Sequence, residues 1–204
     1  MMRNNIVRDK SYGEKEKLTL ADRYGLYLSI KKIRKVIGVN SGGELLDLGA
    51  GYDMSICSFF HDSFSKITAV DVTLNKSIHP NIVKLKGSLE IILPTLSDGC
   101  YSAILLNSVL EHVVDPAYIL SECFRILKSD GKFLINVPTW RGKYFHELSA
   151  FKLKRSPAYE INDHKMYYDK RDLWPLLVKA GFMPIDIKLS YHKYRLNLFG
   201  VCTK

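Results

Sequence analysis

The feature that most constrains the fold is a pair of short apolar runs, the first of which ends in a glycine turn. Residues 44–50 read E-L-L-D-L-G-A, and residues 66–72 read K-I-T-A-V-D-V. The intervening stretch S-I-C-S-F-F-H-D-S-F, residues 55–64, is long enough for a crossover helix. Two strand-like runs joined by such a helix predict a β-α-β unit with parallel strands.

The same alternation continues along the chain. Strand patterns recur at 81–87, 101–108 and 132–138, with a helical pattern at 116–127 and an amphipathic helix at 18–37 before the first strand. After a helix at 170–180, residues 184–194 and 195–204 read as two strands joined by a short turn, which predicts an antiparallel last strand. We therefore expect an α/β fold: a doubly wound, mostly parallel sheet with an antiparallel C-terminal strand and helices on both faces.

The composition indicates one folded, water-soluble domain. The chain has 204 residues, of which 47% are hydrophobic and 25% charged. No apolar run approaches the roughly 18 residues of a spanning helix, and the polar start M-M-R-N-N-I-V-R-D-K lacks a signal-peptide core. A cytoplasmic location is the resulting expectation. The cysteines lack C-x-x-C spacing and nearby histidines, which disfavours a disulfide framework; they are Cys57, Cys100, Cys123 and Cys202. We expect no metal site.

The net charge of +9 is unevenly distributed. Residues 1–43 carry +6, residues 44–127 carry −5 and residues 128–204 carry +8. Basic ends around a slightly acidic middle suit a neutral binding core whose substrate face attracts an anion. A solvated, lysine-rich surface is the alternative interpretation.

The glycine turn favours a ligand that contains a nucleoside. Gly49 and Gly51 allow the backbone to approach a ligand closely, and Asp71 ends the second strand 22 residues after Gly49, where a carboxylate can bind both hydroxyls of a ribose. A binding site for a nicotinamide dinucleotide has a third glycine at position 54 and an apolar residue at position 47. This chain has Met54 and Asp47 there, which disfavours such a cofactor. A structural β-α turn without a ligand remains the other alternative.

The order of these motifs resembles the class I S-adenosylmethionine-dependent methyltransferases, in particular the small-molecule branch with ubiquinone-biosynthesis and glycan-modifying enzymes. The resemblance covers about residues 44–140. The motifs that carry it are L-L-D-L-G-A-G-Y-D at 45–53, A-V-D-V-T at 69–73, L-K-G-S-L-E-I-I-L-P at 85–94, Y-S-A-I-L-L-N-S-V-L-E-H-V-V-D-P at 101–116 and F-R-I-L-K-S-D-G-K-F-L-I-N-V-P at 124–138.

The resemblance implies a Rossmann-like sheet of seven strands and S-adenosyl-L-methionine as the cofactor. We expect a single domain with an N-terminal helical cap (1–43), a cofactor-binding core (44–138), a lid-like substrate segment without clear periodicity (139–169) and a C-terminal helix with a strand pair (170–204). The resemblance also implies a set of cofactor-binding residues: Asp47, Gly49, Ala50, Gly51, Asp71, Val72, Ser88, Leu89, Asn107 and Ser108.

Two positions depart from the family pattern. Asp53 stands where the family has its third glycine, and a side chain that points away from the cofactor would be harmless there. Ser88 stands where an aspartate usually binds the adenine amino group. A serine hydroxyl can still contact adenine, but without charge assistance the bond is weaker.

The catalytic candidates are two histidines. Methyl transfer from a sulfonium needs positioning and, for a hydroxyl acceptor, a base near neutral pKa. His112 belongs to the Glu111–His112 pair after the fourth strand, and His164 lies in the lid-like segment. Each has a simpler explanation: His112 as an organiser of the cofactor side, His164 as a surface histidine. His146 is a weaker candidate.

The lid-like segment suggests the acceptor. Its aromatic and basic residues suit a small anionic acceptor such as a nucleotide-linked or lipid-linked sugar, although they also suit RNA or a satellite core. They are Trp140, Arg141, Lys143, Tyr144, Phe145, Phe151, Lys152, Lys154 and Arg155. We expect transfer to a small oxygen-bearing acceptor, with an RNA methyltransferase or a non-catalytic binding subunit of the same fold as alternatives. No oligomeric state is predicted.

Overall fold

The computed structural model describes residues 11–14, 19–38, 42–77, 79–147 and 164–204, and of residues 145–147 only the backbone. The helices are α1 (Leu20–Ile37), α2 (Ser55–Phe59), α3 (Leu89–Ile92), α4 (Pro116–Ile126), α5 (Trp140–Glu147) and α6 (Lys170–Ala180). The strands are β1 (Glu44–Leu48), β2 (Lys66–Asp71), β3 (Ile82–Lys86), β4 (Tyr101–Asn107), β5 (Leu127–Pro138), β6 (Ile187–His192) and β7 (Asn197–Thr203).

The strands form one sheet in the order β3-β2-β1-β4-β5-β7-β6. Strands β1 to β5 pair in parallel, and β7 runs antiparallel to both β5 and β6. The strand order reverses between β1 and β4, so the carboxyl ends of these two neighbours border the crevice where such sheets bind ligands. The predicted seven-stranded, Rossmann-like sheet with an antiparallel last strand is confirmed.

Two apolar clusters cover the two faces of the sheet. Along β1, Leu46 and Leu48 belong to one cluster, which α4 and α6 complete, while Leu45 belongs to the other, which α1 and α2 complete. Alternate residues of a strand point to opposite faces, so helices on both sides bury both sets. Each fully buried leucine contributes about 1.5–3 kcal/mol of stabilisation.

Three predicted elements differ from the structure. The crossover after β1 is only the five-residue helix α2 and a short 3-10 turn at His61–Ser63, because Met54 enters α2 in the left-handed conformation and the helix ends at Phe59. Strand β5 starts at Leu127, not at 132, because it continues directly from α4. Helix α5 lies in the segment predicted to lack regular structure; the Thr139 hydroxyl accepts a hydrogen bond from the Gly142 backbone N–H and caps it.

Among the helices of the described ranges, none is long and apolar enough to span a membrane.

Candidate functional site at the carboxyl ends of β1, β2 and β4

The turn after β1 is held tightly against its neighbours. The backbone N–H groups of Gly49 and Ala50 both donate to the carbonyl of Val70, at 2.8 and 3.1 Å. Gly49 has a φ of +69°, and a Cβ added there would lie 2.2 Å from a methyl carbon of Val109, in the loop after β4. Only glycine fits between these two strand ends.

Asp47 is a buried carboxylate beside this turn. Its side chain is 1% exposed, and its Oδ2 atom has no hydrogen-bond partner within the described part of the chain. Burial and the nearby Asp71 carboxylate raise the pKa of Asp47 to about 7, against hydrogen bonds from Cys57 that lower it. A buried acceptor atom without a donor is costly. A cationic ligand group would remove that cost.

The Asp71 carboxylate already accepts hydrogen bonds from its own chain. Oδ2 accepts the Gly51 backbone N–H at 2.8 Å, and Oδ1 accepts the Val72 backbone N–H at 2.7 Å. The hydroxyl of Ser11 also donates to Oδ1, and it accepts the Thr73 backbone N–H at 2.9 Å. A carboxylate has about four acceptor positions. Three are therefore in use, which leaves one for a ligand while Ser11 stays.

The segment around Ser11 lies over the glycine turn. The Tyr12 carbonyl accepts the Tyr52 backbone N–H at 2.9 Å, and the Glu14 carboxylate accepts the Thr73 hydroxyl at 2.7 Å. Ser11 itself is 3% exposed. This contact is not predictable from sequence, because nothing in the residues near position 11 indicates pairing with a strand end 60 positions away.

Ser88 and Leu89 lie past the end of β3, next to Asp71 along the sheet edge. The Gly87 backbone N–H donates to the Asp71 carbonyl at 3.0 Å, which fixes this turn to β2. Ser88 precedes α3 without capping it through its side chain, and Leu89 is buried. The Ser88 hydroxyl therefore makes no capping hydrogen bond to α3. Asp53 is exposed and accepts a hydrogen bond from the Asn75 side chain, away from the turn.

Asn107 and Ser108 end β4 in a strained turn. Ser108 has a φ of +58°, and its backbone N–H donates to the Asn136 carbonyl at 2.8 Å. The Asn136 side chain is buried and donates to the Asn107 side-chain oxygen at 3.2 Å. Non-glycine residues in the left-handed region cost about 1–3 kcal/mol and cluster at functional sites. This turn leads into residues 109–112, which include Glu111 and His112.

The two catalytic candidates lie side by side. The ring centroids of His112 and His164 are 4.7 Å apart, with the rings at 67°. The Lys165 backbone N–H donates to the Glu111 carbonyl at 2.7 Å, so a main-chain bond joins the two segments. Glu111 is 2% exposed, and His164 Nδ1 lies 3.0 Å from the Tyr167 hydroxyl oxygen. Residues 52 positions apart in sequence thus form one cluster.

Aromatic and cationic groups surround this cluster. The Trp140 and Tyr167 ring centroids are 5.7 Å apart, and the Lys143 ammonium lies 6.0 Å from the Tyr167 ring centroid. Lys193, in the turn between β6 and β7, has its pKa lowered to about 8 by burial, with the Glu111 and Asp22 carboxylates opposing the shift. Lys193 was not a candidate from sequence, since only the hairpin turn brings it near Glu111.

Part of the predicted lid lies outside the described residues. This applies to Phe151, Lys152, Lys154 and Arg155, and to the side chains of Phe145 and His146.

A family of known proteins matches this chain over most of its length. The family described as "methyltransferase domain" matches residues 22–186. The chain belongs to this methyltransferase family. The predicted family is confirmed, and S-adenosyl-L-methionine is the cofactor it implies.

Curated relatives of this methyltransferase are distant. A probable S-adenosylmethionine-dependent methyltransferase of Mycolicibacterium smegmatis is 26% identical and is matched over 74% of this chain and 56% of its own length. A ubiquinone/menaquinone biosynthesis C-methyltransferase of Citrifermentans bemidjiense is 27% identical, over 74% of this chain and 75% of that protein. The chain spans about half the length of the relatives it matches first.

Solved structures share the fold of this methyltransferase. The crystal structure of a putative S-adenosylmethionine-dependent methyltransferase from Listeria monocytogenes superposes with a TM-score of 0.66 at 17% identity, covering 89% of this chain and 99% of that one.

The crevice fits an S-adenosyl donor in two respects. The unpartnered Oδ2 of Asp47 suits a ligand ammonium, such as that of the methionine part. Gly49 leaves the turn without a Cβ where a ligand would approach. In a third respect the fit is incomplete: a ribose diol needs two acceptor positions on Asp71, and Ser11 holds one of them.

Proposed function

We propose that this methyltransferase moves a methyl group from S-adenosylmethionine to an oxygen of a small anionic acceptor, such as a sugar or another anionic metabolite. The observation that carries the proposal is the contact between Gly49 and Val109. It joins the donor turn to the loop that bears Glu111 and His112. Donor and acceptor groups are thereby supported on one edge of the sheet.

On the donor side, the residues at four strand ends bind different parts of S-adenosylmethionine. Asp47 binds the ammonium of the methionine part beside the backbone of Gly49, Ala50 and Gly51. Asp71 binds the ribose next to Val72, and Ser88 with Leu89 borders the adenine. Asn107 and Ser108 line the place of transfer through backbone groups. Bound S-adenosylmethionine supplies a methyl group that its positive sulfur has already activated.

On the acceptor side, His164 takes the proton of the acceptor hydroxyl. The Tyr167 hydroxyl at 3.0 Å from its Nδ1 orients the ring. His112, whose ring contacts that of His164, positions the same acceptor side of the site. Lys143 supplies a positive charge beside Tyr167 and Trp140, and this combination suits an anion with an apolar or ring-shaped part.

The test compares matched acceptors. Release of S-adenosylhomocysteine is measured with phosphorylated sugars and with the same sugars lacking the phosphate, and NMR of the product identifies the methylated atom. We expect turnover on the phosphorylated member and an O-methyl signal. His164→Ala should lower kcat by about 10²–10⁴-fold, the usual contribution of a general base. The control His61→Ala, in the short turn after α2, should leave kcat unchanged. Methylation at carbon only, as the name of the Citrifermentans relative describes for that protein, would overturn the oxygen acceptor.

A second candidate function is RNA methylation, which one surface feature favours. A groove of about 710 Å³ lies between α1 and α2 and is lined by four basic residues together with Tyr27 and Phe59. The basic residues are Arg23, Lys31, Arg34 and Lys35. Positive charge interleaved with aromatic rings is typical of single-strand binding. Filter retention of RNA that is absent even at low salt would remove this candidate.

A further inference from the structure

The cluster of Glu111, His112 and His164 has the ligand set of a metal site. One ligand atom from each residue can be chosen so that all three lie within 4.8 Å of one another. Ligand atoms around a tetrahedral Zn²⁺ with bonds of about 2.0–2.1 Å lie roughly 3.3 Å apart. A closure of about 1.5 Å or less would therefore bring the three side chains to bonding distance.

The supporting groups are already in place. A ligating histidine almost always uses its second ring nitrogen to hydrogen-bond an orienting group. His164 does this through Nδ1 and the buried Tyr167 hydroxyl, at 3.0 Å. The segments of Glu111 and His164 are fixed to one another by the backbone bond from Lys165 to Glu111 at 2.7 Å.

We propose that Glu111, His112 and His164 bind one divalent transition-metal ion of the Zn²⁺ type. Two imidazoles and one carboxylate suit Zn²⁺, Co²⁺ or Fe²⁺ and disfavour Mg²⁺ and Ca²⁺, which prefer oxygen ligands. Three protein ligands leave at least one coordination position open. In methyl transfer, a role that rests on the proposed function, a bound ion would hold the acceptor oxygen at that position and lower the pKa of its hydroxyl, whose proton would pass to solvent. His164 would then be a ligand in the ion-bound protein and the proton acceptor only in the ion-free protein.

Glu111 has its own test. Glu111→Gln keeps the size of the side chain and removes the carboxylate charge. It should therefore weaken Zn²⁺ binding, and unchanged affinity would contradict Glu111 as the third ligand.

The experiment is calorimetric titration of metal-free, tag-free protein with Zn²⁺, without a methyl donor, and absorption spectroscopy with Co²⁺. We expect one equivalent to bind, no competition by millimolar Mg²⁺, and a loss of about 10–100-fold in affinity for Tyr167→Phe. His164→Ala should lose the binding, and His164→Cys should restore it with a sulfur-to-cobalt charge-transfer band.

The control is His79→Ala, which removes a ring of the other histidine pair, His61 and His79, whose centroids are 3.7 Å apart. It should leave Zn²⁺ binding unchanged. No binding to the unaltered protein, binding that survives His164→Ala, or binding lost in His79→Ala would each overturn the metal site. Because the methyl donor is absent from this titration, these outcomes leave the methyl-transfer proposal untouched.

Discussion

The tight contact between the glycine turn and the β4 loop predicts a specific cost for Gly49→Ala. An L-residue held at the φ of +69° costs about 1–2 kcal/mol. The new Cβ would also lie 2.2 Å from the Val109 methyl carbon. The turn cannot retreat easily, since the N–H groups of Gly49 and Ala50 are both bonded to Val70. Overpacking of this kind adds about 1–3 kcal/mol, which gives about 2–5 kcal/mol in total.

Urea denaturation of matched variants separates the two contributions. Gly99→Ala imposes a similar φ, +59°, at a position where a Cβ would meet nothing within 4 Å. It should lose only the backbone contribution of about 1–2 kcal/mol. Val109→Ala makes room for the new Cβ. The loss in free energy of unfolding of the double variant Gly49→Ala/Val109→Ala should therefore be about 1–3 kcal/mol smaller than the sum of the losses of the two single variants. Equal losses for Gly49→Ala and Gly99→Ala, or simple additivity in the double variant, would refute the reasoning.

Two further predictions concern the carboxylates of the crevice. Burial raises the pKa of Asp47 to about 7. The unfolded chain therefore ionises at lower pH than the folded protein, whose stability falls by about 3 kcal/mol as pH rises from 4 to 7. Asp47→Asn should remove most of this loss in urea denaturation at a series of pH values, and a parallel pH dependence in both proteins would contradict the assignment. Ser11→Ala should free an acceptor position on Asp71 and tighten S-adenosylhomocysteine roughly tenfold in calorimetry, since a bond to a charged group contributes about 1.5–3 kcal/mol. Weaker binding would show that Ser11 supports the donor instead.

The strands and their carboxyl ends were predictable from sequence, because they depend on local residue pattern. Apolar runs ending at Leu48, Asp71 and Asn107 identified strands whose carboxyl ends meet, because residue spacing and strand direction together place those ends at one edge. The antiparallel β7 followed from the short turn after His192. These features need no knowledge of side-chain packing.

Contacts between distant segments were not predictable. The bond from Ser11 to Asp71 and the approach of Lys193 to Glu111 depend on how the N-terminal segment and the last hairpin pack onto the sheet. Helix α5 was missed because its start depends on the hydroxyl of Thr139 rather than on apolar periodicity. The meeting of His112 with His164 was not foreseen either, although both residues had been singled out.

The measurement that tests the central claim most directly is calorimetric titration of S-adenosylhomocysteine into the unaltered protein, Asp71→Ala and Asp53→Ala. Asp53 is the matched control, because it lies near the same turn with an exposed side chain. The account predicts one molecule bound per chain, a loss of about 1–3 kcal/mol for Asp71→Ala and no change for Asp53→Ala. No heat of binding to the unaltered protein, or equal affinity in all three proteins, would contradict it.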